Sequence, residues 1–144
     1  ITFEVSTVPG AEMGPIHKVA SGGELSRFML ALRVVIAGAA QVKTLVFDEI
    51  DAGIGGAVAD SVGQRLARLA GKMQVLVVTH QPQIAVQAGQ HYRVAKKLDA
   101  GGAATHIEQL GLEGCIEEIA RMLAGEEISN EARAAAKRLL AEAL

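Results

Sequence analysis

Two short apolar runs, each stopped by polar residues and separated by a helical stripe, constrain this chain more than any other feature. Thr44 to Phe47 is apolar rather than alternating, and it stops abruptly at Asp48 and Glu49. Such a run predicts a strand buried on both faces of a parallel sheet. Val75 to Val78 repeats the pattern and ends at Thr79 and His80. Between the runs lies a glycine-rich turn at Gly53, Gly55 and Gly56. Val58, Val62, Leu66 and Leu69 then mark one helical face, and Gly71 closes it. Strand, helix, strand in that order is a right-handed parallel crossover by default.

The flanking segments are read in the same way. Thr2 to Val8 is β-rich and reads as a strand, and Pro9, Gly10, Gly14 and Pro15 then break the chain into a loop. From Gly23 to about Ala39, Leu25, Phe28, Met29, Leu32, Val35 and Ile36 form an amphipathic helical stripe. Past the second run, Pro82 to Ala88 predicts a short helix with proline in its first turn. Two strands follow, His91 to Lys96 and Ala103 to Gln109, joined by a hairpin signal at Asp99 to Gly102. Two alanine-rich helices close the chain. One shows Ile116, Ile119, Ala120 and Leu123, and the other Ala132, Ala135, Ala136, Leu139 and Leu140. No internal repeat or low-complexity linker interrupts the pattern, so residues 1–144 are expected to form a single α/β domain.

Composition narrows the functional classes. A chain of 144 residues can bury a real core, but its only aromatic residues are Phe3, Phe28, Phe47 and Tyr92, so the core is aliphatic. The formal net charge of −2 gives no overall footprint for nucleic acid. The apolar stretches are broken at Arg33, Gln41 and Lys43, far short of the roughly 20 residues that cross a bilayer. No signal-peptide pattern opens the chain; it starts at Ile1 in a strand pattern and is expected to be part of something longer. Cys115 stands alone beside Ile116 and Ile119, which reads as buried core in a reducing compartment. His17, His91 and His106 have no metal-ligand spacing.

Three places carry chemistry. In open α/β sheets, ligands gather beyond the carboxyl ends of the strands. Asp48 and Glu49 stand at such an end. The first carboxylate can hold Mg²⁺, and the second can orient or deprotonate a water that attacks a γ-phosphate. Taken alone, the pair also suits a strand running into an acidic surface loop. Ser21-Gly22-Gly23-Glu24 stands immediately ahead of a long helix. A helix start offers free N–H groups and a positive dipole end to a phosphate, though Ser21 also serves as an ordinary helix cap. His80 ends the second run, where it can sense a γ-phosphate or simply sit at the surface. The three occur together, in order, with a helix and a strand between them, and that is what gives them weight.

Val19-Ala20-Ser21-Gly22-Gly23-Glu24-Leu25-Ser26-Arg27 resembles the ABC signature motif in the variant of the RecN family of SMC-like ATPases. Thr44 to Glu49 resembles their Walker B segment, and His80 their switch histidine. Asp48 to Gly56, Thr79-His80-Gln81-Pro82-Gln83-Ile84-Ala85, Ala88 to Lys96 and Glu117 to Gly125 are similar to the same family, so the resemblance runs from about Pro9 to the end. Two positions depart from the family pattern. Ala20 replaces the usual leucine ahead of the serine. Gly55 replaces the usual aspartate after Walker B, leaving Asp51 as the nearest acidic residue of the D-loop.

The resemblance implies the carboxy-terminal lobe of a P-loop NTPase, an ABC-type ATPase head. Its expected architecture is a mostly parallel sheet flanked by helices, a terminal β-hairpin and two C-terminal helices. It also implies ATP and Mg²⁺, with Asp48 as the metal carboxylate and Glu49 and His80 as catalytic residues. Ser21, Gly22, Gly23 and Glu24 would bind the ATP of a second head. No G-x-x-x-x-G-K-[ST] phosphate loop occurs in the chain, so alone it is expected to hydrolyse nothing. The implied partners are the Walker-A lobe of the same polypeptide, a second copy of the head, and DNA through the full-length protein. No membrane partner is implied, and the implied location is cytoplasmic, at the nucleoid, in double-strand-break repair. Two other readings stay open on residues alone: the ATPase of a membrane transporter, and a non-catalytic dimerisation module. The transporter reading needs a helical subdomain before the signature. Arg133, Lys137 and Arg138, like Lys96 and Lys97, read as solvated faces rather than DNA contacts, and Arg27 is a position that can face a partner head.

Overall fold

A computed structural model describes residues 4–6, 9–10, 12–16, 28–32, 35–36, 42–51, 53–99, 102–125 and 127–143. The chain divides into two compact units, Ile1–Val78 and Thr79–Leu144.

The first unit opens with β1 (Glu4–Val5), which pairs antiparallel with β2 (Gly14–Pro15). The segment expected to be loop therefore contains a return strand. Proline is tolerated there because it lies in a two-stranded ribbon, where it can use an edge that needs no amide donor. Residues 28–32 and 35–36 are helical, within the stripe expected from Gly23 to Ala39. β3 (Thr44–Phe47) follows, then α1 (Gly56–Ala70) and β4 (Gln74–Val77). β3 and β4 pair in parallel, with Thr44 opposite Gln74 and Phe47 opposite Val77. The Val78 amide extends the ladder by donating to the Phe47 carbonyl at 2.8 Å.

α1 packs against β4 through a face of Ala59, Val62, Gly63 and Leu66. Val58, expected on that face, is 40% exposed. Gly71 ends the helix in an ordinary right-handed conformation at φ −67°, so its closing role uses no left-handed turn. The expectation of strands buried on both faces is corrected. Leu45, Phe47, Val75 and Val77 are at least half-buried, whereas Val46, Leu76 and Val78 on the opposite face are 66%, 46% and 55% exposed. The physical reason is that, among the described residues, α1 packs on one face and β3 and β4 make a two-stranded sheet.

The second unit starts with α2 (Pro82–Ala85), with proline in its first turn as expected. β5 (His91–Asp99) and β6 (Gly102–Leu110) form a long antiparallel hairpin. α3 (Leu112–Ala124) and α4 (Asn130–Glu142) then pack against each other. Their core is Val86, Ile116, Ile119, Ala120 and Ala136, with Ala132, Leu139 and Leu140 packed around it. Alanines at the contact let the helix backbones approach closely, which is why a nearly aromatic-free sequence still closes this core. Leu123, expected on the buried stripe, is 38% exposed. Gly125 takes φ +83° just past α3, a conformation that favours glycine, and its amide donates to the Arg121 carbonyl at 2.8 Å. Ser129 caps α4, its hydroxyl accepting the Ala132 amide at 3.2 Å. Arg133 then ties the two helices with a two-pronged bond to Glu117, at 2.6 and 3.1 Å.

Candidate functional site

The site is built around the carboxyl end of β3. The apolar strand ends because Phe47, its last residue, is buried, and the chain then turns outward into Asp48 and Glu49, both exposed. The turn is sharp. Glu49 sits at φ +48°, alone among the described non-glycine residues in having positive φ. For a branched-free but bulky residue this left-handed conformation costs about 1–2 kcal/mol. Strain of that kind persists only where the surroundings impose it, and it collects at functional turns.

The chain dives back at once. Ile50 and Ile54 are 7% and 8% exposed, and Asp51 between them is only 1% exposed. The Ile54 amide donates to the Asp51 carbonyl at 3.1 Å, closing a turn in which Gly53 supplies φ +76°. Two anchors, Phe47 before and the Ile50–Ile54 turn after, thus force Asp48 and Glu49 into a tight exposed corner. Asp51 is the one buried polar side chain named among the described core residues, so it presents no carboxylate surface to solvent.

His80 belongs to the second unit and is exposed. Its segment is shaped by Thr79, whose hydroxyl accepts the Gln81 amide at 3.0 Å and sets the chain for Pro82 to open α2. Ser21, Gly22, Gly23 and Glu24 lie outside the described residues, as does Arg27. The structure thus brings Asp48, Glu49 and Asp51 into one turn. Sequence reasoning missed the left-handed backbone of Glu49 and the burial of Asp51. Only the flanking apolar residues Phe47, Ile50 and Ile54 hinted at a corner that pins both its ends.

Among the described residues, no group of three or more His, Cys, Asp or Glu side chains could hold a metal ion. Mg²⁺ keeps several waters and takes one or two carboxylates plus phosphate oxygens rather than a full protein cage. Asp48, an exposed hard-oxygen donor at a strand terminus, fits such a role. Elsewhere Cys115 is buried, and burial pushes its thiol up from the ordinary value, as core packing expects. Among the described residues, no helix is long and apolar enough to cross a membrane.

The chain contains a parallel crossover ending in two carboxylates, an antiparallel hairpin and two terminal helices. In fold it matches a solved SMC ATPase structure described in terms of ATP-driven dimerization and DNA stimulated activation. The TM-score is 0.64 at 20% sequence identity, covering 82% of this chain and 70% of that one. In sequence it is similar to the DNA repair protein RecN. It is 51% identical to the RecN of Xylella fastidiosa over 97% of the chain, and 52% identical to that of Streptomyces coelicolor over 92%. It is also 50% identical to that of Deinococcus radiodurans over 87%. No family model matches the chain. The chain spans about a quarter of the length of the curated relatives it matches, 25%, 23% and 22% respectively. It is RecN-like along nearly its whole length.

Proposed function

We propose that this chain is the water-activating lobe of a RecN-type ATPase head that serves DNA double-strand-break repair. The observation that carries the reading is the strained, exposed Asp48-Glu49 corner at the carboxyl end of a parallel strand. The likeness to RecN supports it. In this reading Asp48 would hold Mg²⁺, which would supply positive charge to offset that of the ATP phosphates. Glu49 accepts a proton from a water as that water's oxygen bonds to the γ-phosphorus. The bond from the γ-phosphorus to the bridging oxygen breaks, leaving ADP and phosphate. His80 contacts the γ-phosphate and reports its presence.

Half of the nucleotide site comes from elsewhere. Without a phosphate loop the triphosphate has no primary cradle here, so ATP is held by a Walker-A lobe of the same polypeptide. The bare apolar face of Val46, Leu76 and Val78 is the kind of surface that such a lobe covers. Ser21, Gly22, Gly23 and Glu24 clasp the ATP of a second head, so that two nucleotides are sandwiched and hydrolysis lets the heads part. Asp51 supports the corner from inside rather than by touching nucleotide. The antiparallel β1–β2 pair precedes the signature-like segment, where a transporter ATPase would need a helical subdomain. The protein so described works in the cytoplasm, at the nucleoid.

The test is magnesium-dependent ATP turnover per head in the full-length protein, followed against protein concentration. A shared site makes turnover rise steeply as heads pair. Turnover per head that stays flat across the range overturns the proposal.

A further inference from the structure

We propose that the amino-terminal end of the β3–β4 pair is a docking surface for the phosphate backbone of duplex nucleic acid. This rests on the DNA-repair reading above but concerns residues outside the nucleotide site. Lys43 stands directly ahead of β3, and Lys72 stands two residues ahead of β4. The Gln74 amide donates to the Lys43 carbonyl at 2.9 Å, so the two strand entries are backbone neighbours. Arg68 occupies the last turn of α1, next to Lys72, and Arg65 lies three residues before it on a shared helical face. All four side chains are exposed.

Among the described residues, nothing pairs with their charge: none of the four takes part in an ion pair or a side-chain hydrogen bond. No acidic residue stands three or four places from Arg65 or Arg68, where a helical partner would have to be. Asp60, the acid on this helix, accepts instead from the Gln64 side chain at 3.0 Å. The carboxylates Asp48, Glu49 and Asp51 lie at the other end of the strands. Lys43 and Asp48 are five extended residues apart, roughly 16 Å. That is about twice the screening length of roughly 8 Å at physiological salt, so the acidic corner does not neutralise the basic end. A helix C-terminus attracts cations by its dipole, which accounts for Arg68. It does not account for Lys43, which precedes a strand.

Four unpaired cations on one end match a dense line of anions, and duplex backbone offers about one charge per 1.7 Å of axis. The formal net charge of −2 hides this end, because it sums over acidic residues spread along the rest of the chain.

The experiment measures duplex DNA binding by the full-length protein as fluorescence anisotropy over a range of salt concentrations. It compares wild type with Arg65→Gln/Arg68→Gln/Lys72→Gln. Removing three phosphate contacts should make the slope of log K against log salt less negative by about 2.7. The charge-conserving Arg65→Lys/Arg68→Lys protein should keep the wild-type slope, as should Lys96→Gln/Lys97→Gln on the hairpin. An unchanged slope in the triple variant overturns the inference while leaving the ATPase reading intact. So does a variant that loses only binding to a poly-glutamate peptide, which would make the partner an acidic protein. A wild-type protein with no affinity for duplex would sink both this inference and the DNA part of the proposed function.

Discussion

Replacing Glu49 separates backbone strain from chemistry. Its φ of +48° is a left-handed conformation in which a side chain costs about 1–2 kcal/mol and glycine almost none. Glycine also frees the unfolded chain, which takes back about 0.5–1 kcal/mol. Glu49→Gly should therefore be more stable than Glu49→Gln by a net of about 0.5–1 kcal/mol, a two- to fivefold shift in local opening. Glu49→Asn should fall between them, since asparagine tolerates this region better than glutamine. All three lose the carboxylate, so all three should lose turnover together. Amide hydrogen exchange in β3 and the turn after it, measured in the full-length protein, reads the stability order. If Glu49→Gly exchanges faster than Glu49→Gln, the corner is not strained as described. If Glu49→Gly keeps wild-type turnover, Glu49 is not the base.

Three more outcomes follow from the structure. Ile119 is 1% exposed at the centre of the helical core, so Ile119→Ala should cost about 2–5 kcal/mol, seen as a lowered urea midpoint for the second unit; a loss under about 1 kcal/mol would mean the core is looser than its packing. The Arg133 guanidinium holds the Glu117 carboxyl below its ordinary value, so the helix pair keeps this contribution above the ordinary carboxylate pKa, near 4.3, and loses it as pH falls through the depressed value. Exchange protection of α3 and α4 should drop at low pH in wild type and depend less on pH in Glu117→Gln; equal profiles would remove the bond from the argument. Finally, Val46→Lys in the full-length protein should raise protease sensitivity of the head if the bare sheet face is covered there, and should change nothing if that face meets water.

Much of the fold was legible because each element carries its own periodicity. Thr44 to Phe47 was read to the residue, since an apolar run cut off by two acids has only one plausible end. Its partner strand was displaced by one. Gln74 looks like a loop residue, yet it belongs to the ladder and accepts a hydrogen bond from the Thr44 hydroxyl at 3.0 Å. The hairpin strands run on to Asp99 and from Gly102, because backbone pairing continues to the turn whatever the side chains prefer. Gly14 and Pro15 hid a strand behind two breaker residues.

The site was legible only in part. Asp48 and Glu49 stood out because carboxylates at the end of an apolar strand are chemically conspicuous. The sign of φ at Glu49 was not, since it follows from anchors on both sides rather than from the residue itself. Asp51 was read only as the nearest acidic residue of the D-loop, and its burial, between the likewise buried Ile50 and Ile54, had no signal of its own. Exposure of Val46, Leu76 and Val78 was unreadable for a different reason. Their apolar character looks the same in sequence whether the face is covered or, as here, exposed.

The most direct measurement is the mass of the full-length Glu49→Gln protein by light scattering, with and without ATP and Mg²⁺. Positioning and electrostatics carry most of phosphoryl transfer, so binding should survive the loss of the base while cleavage does not. The expected result is a stable dimer that forms only with ATP and persists with little turnover. A protein that stays monomeric with ATP, or that turns over at the wild-type rate, would contradict the assignment of Glu49 and with it the shared site.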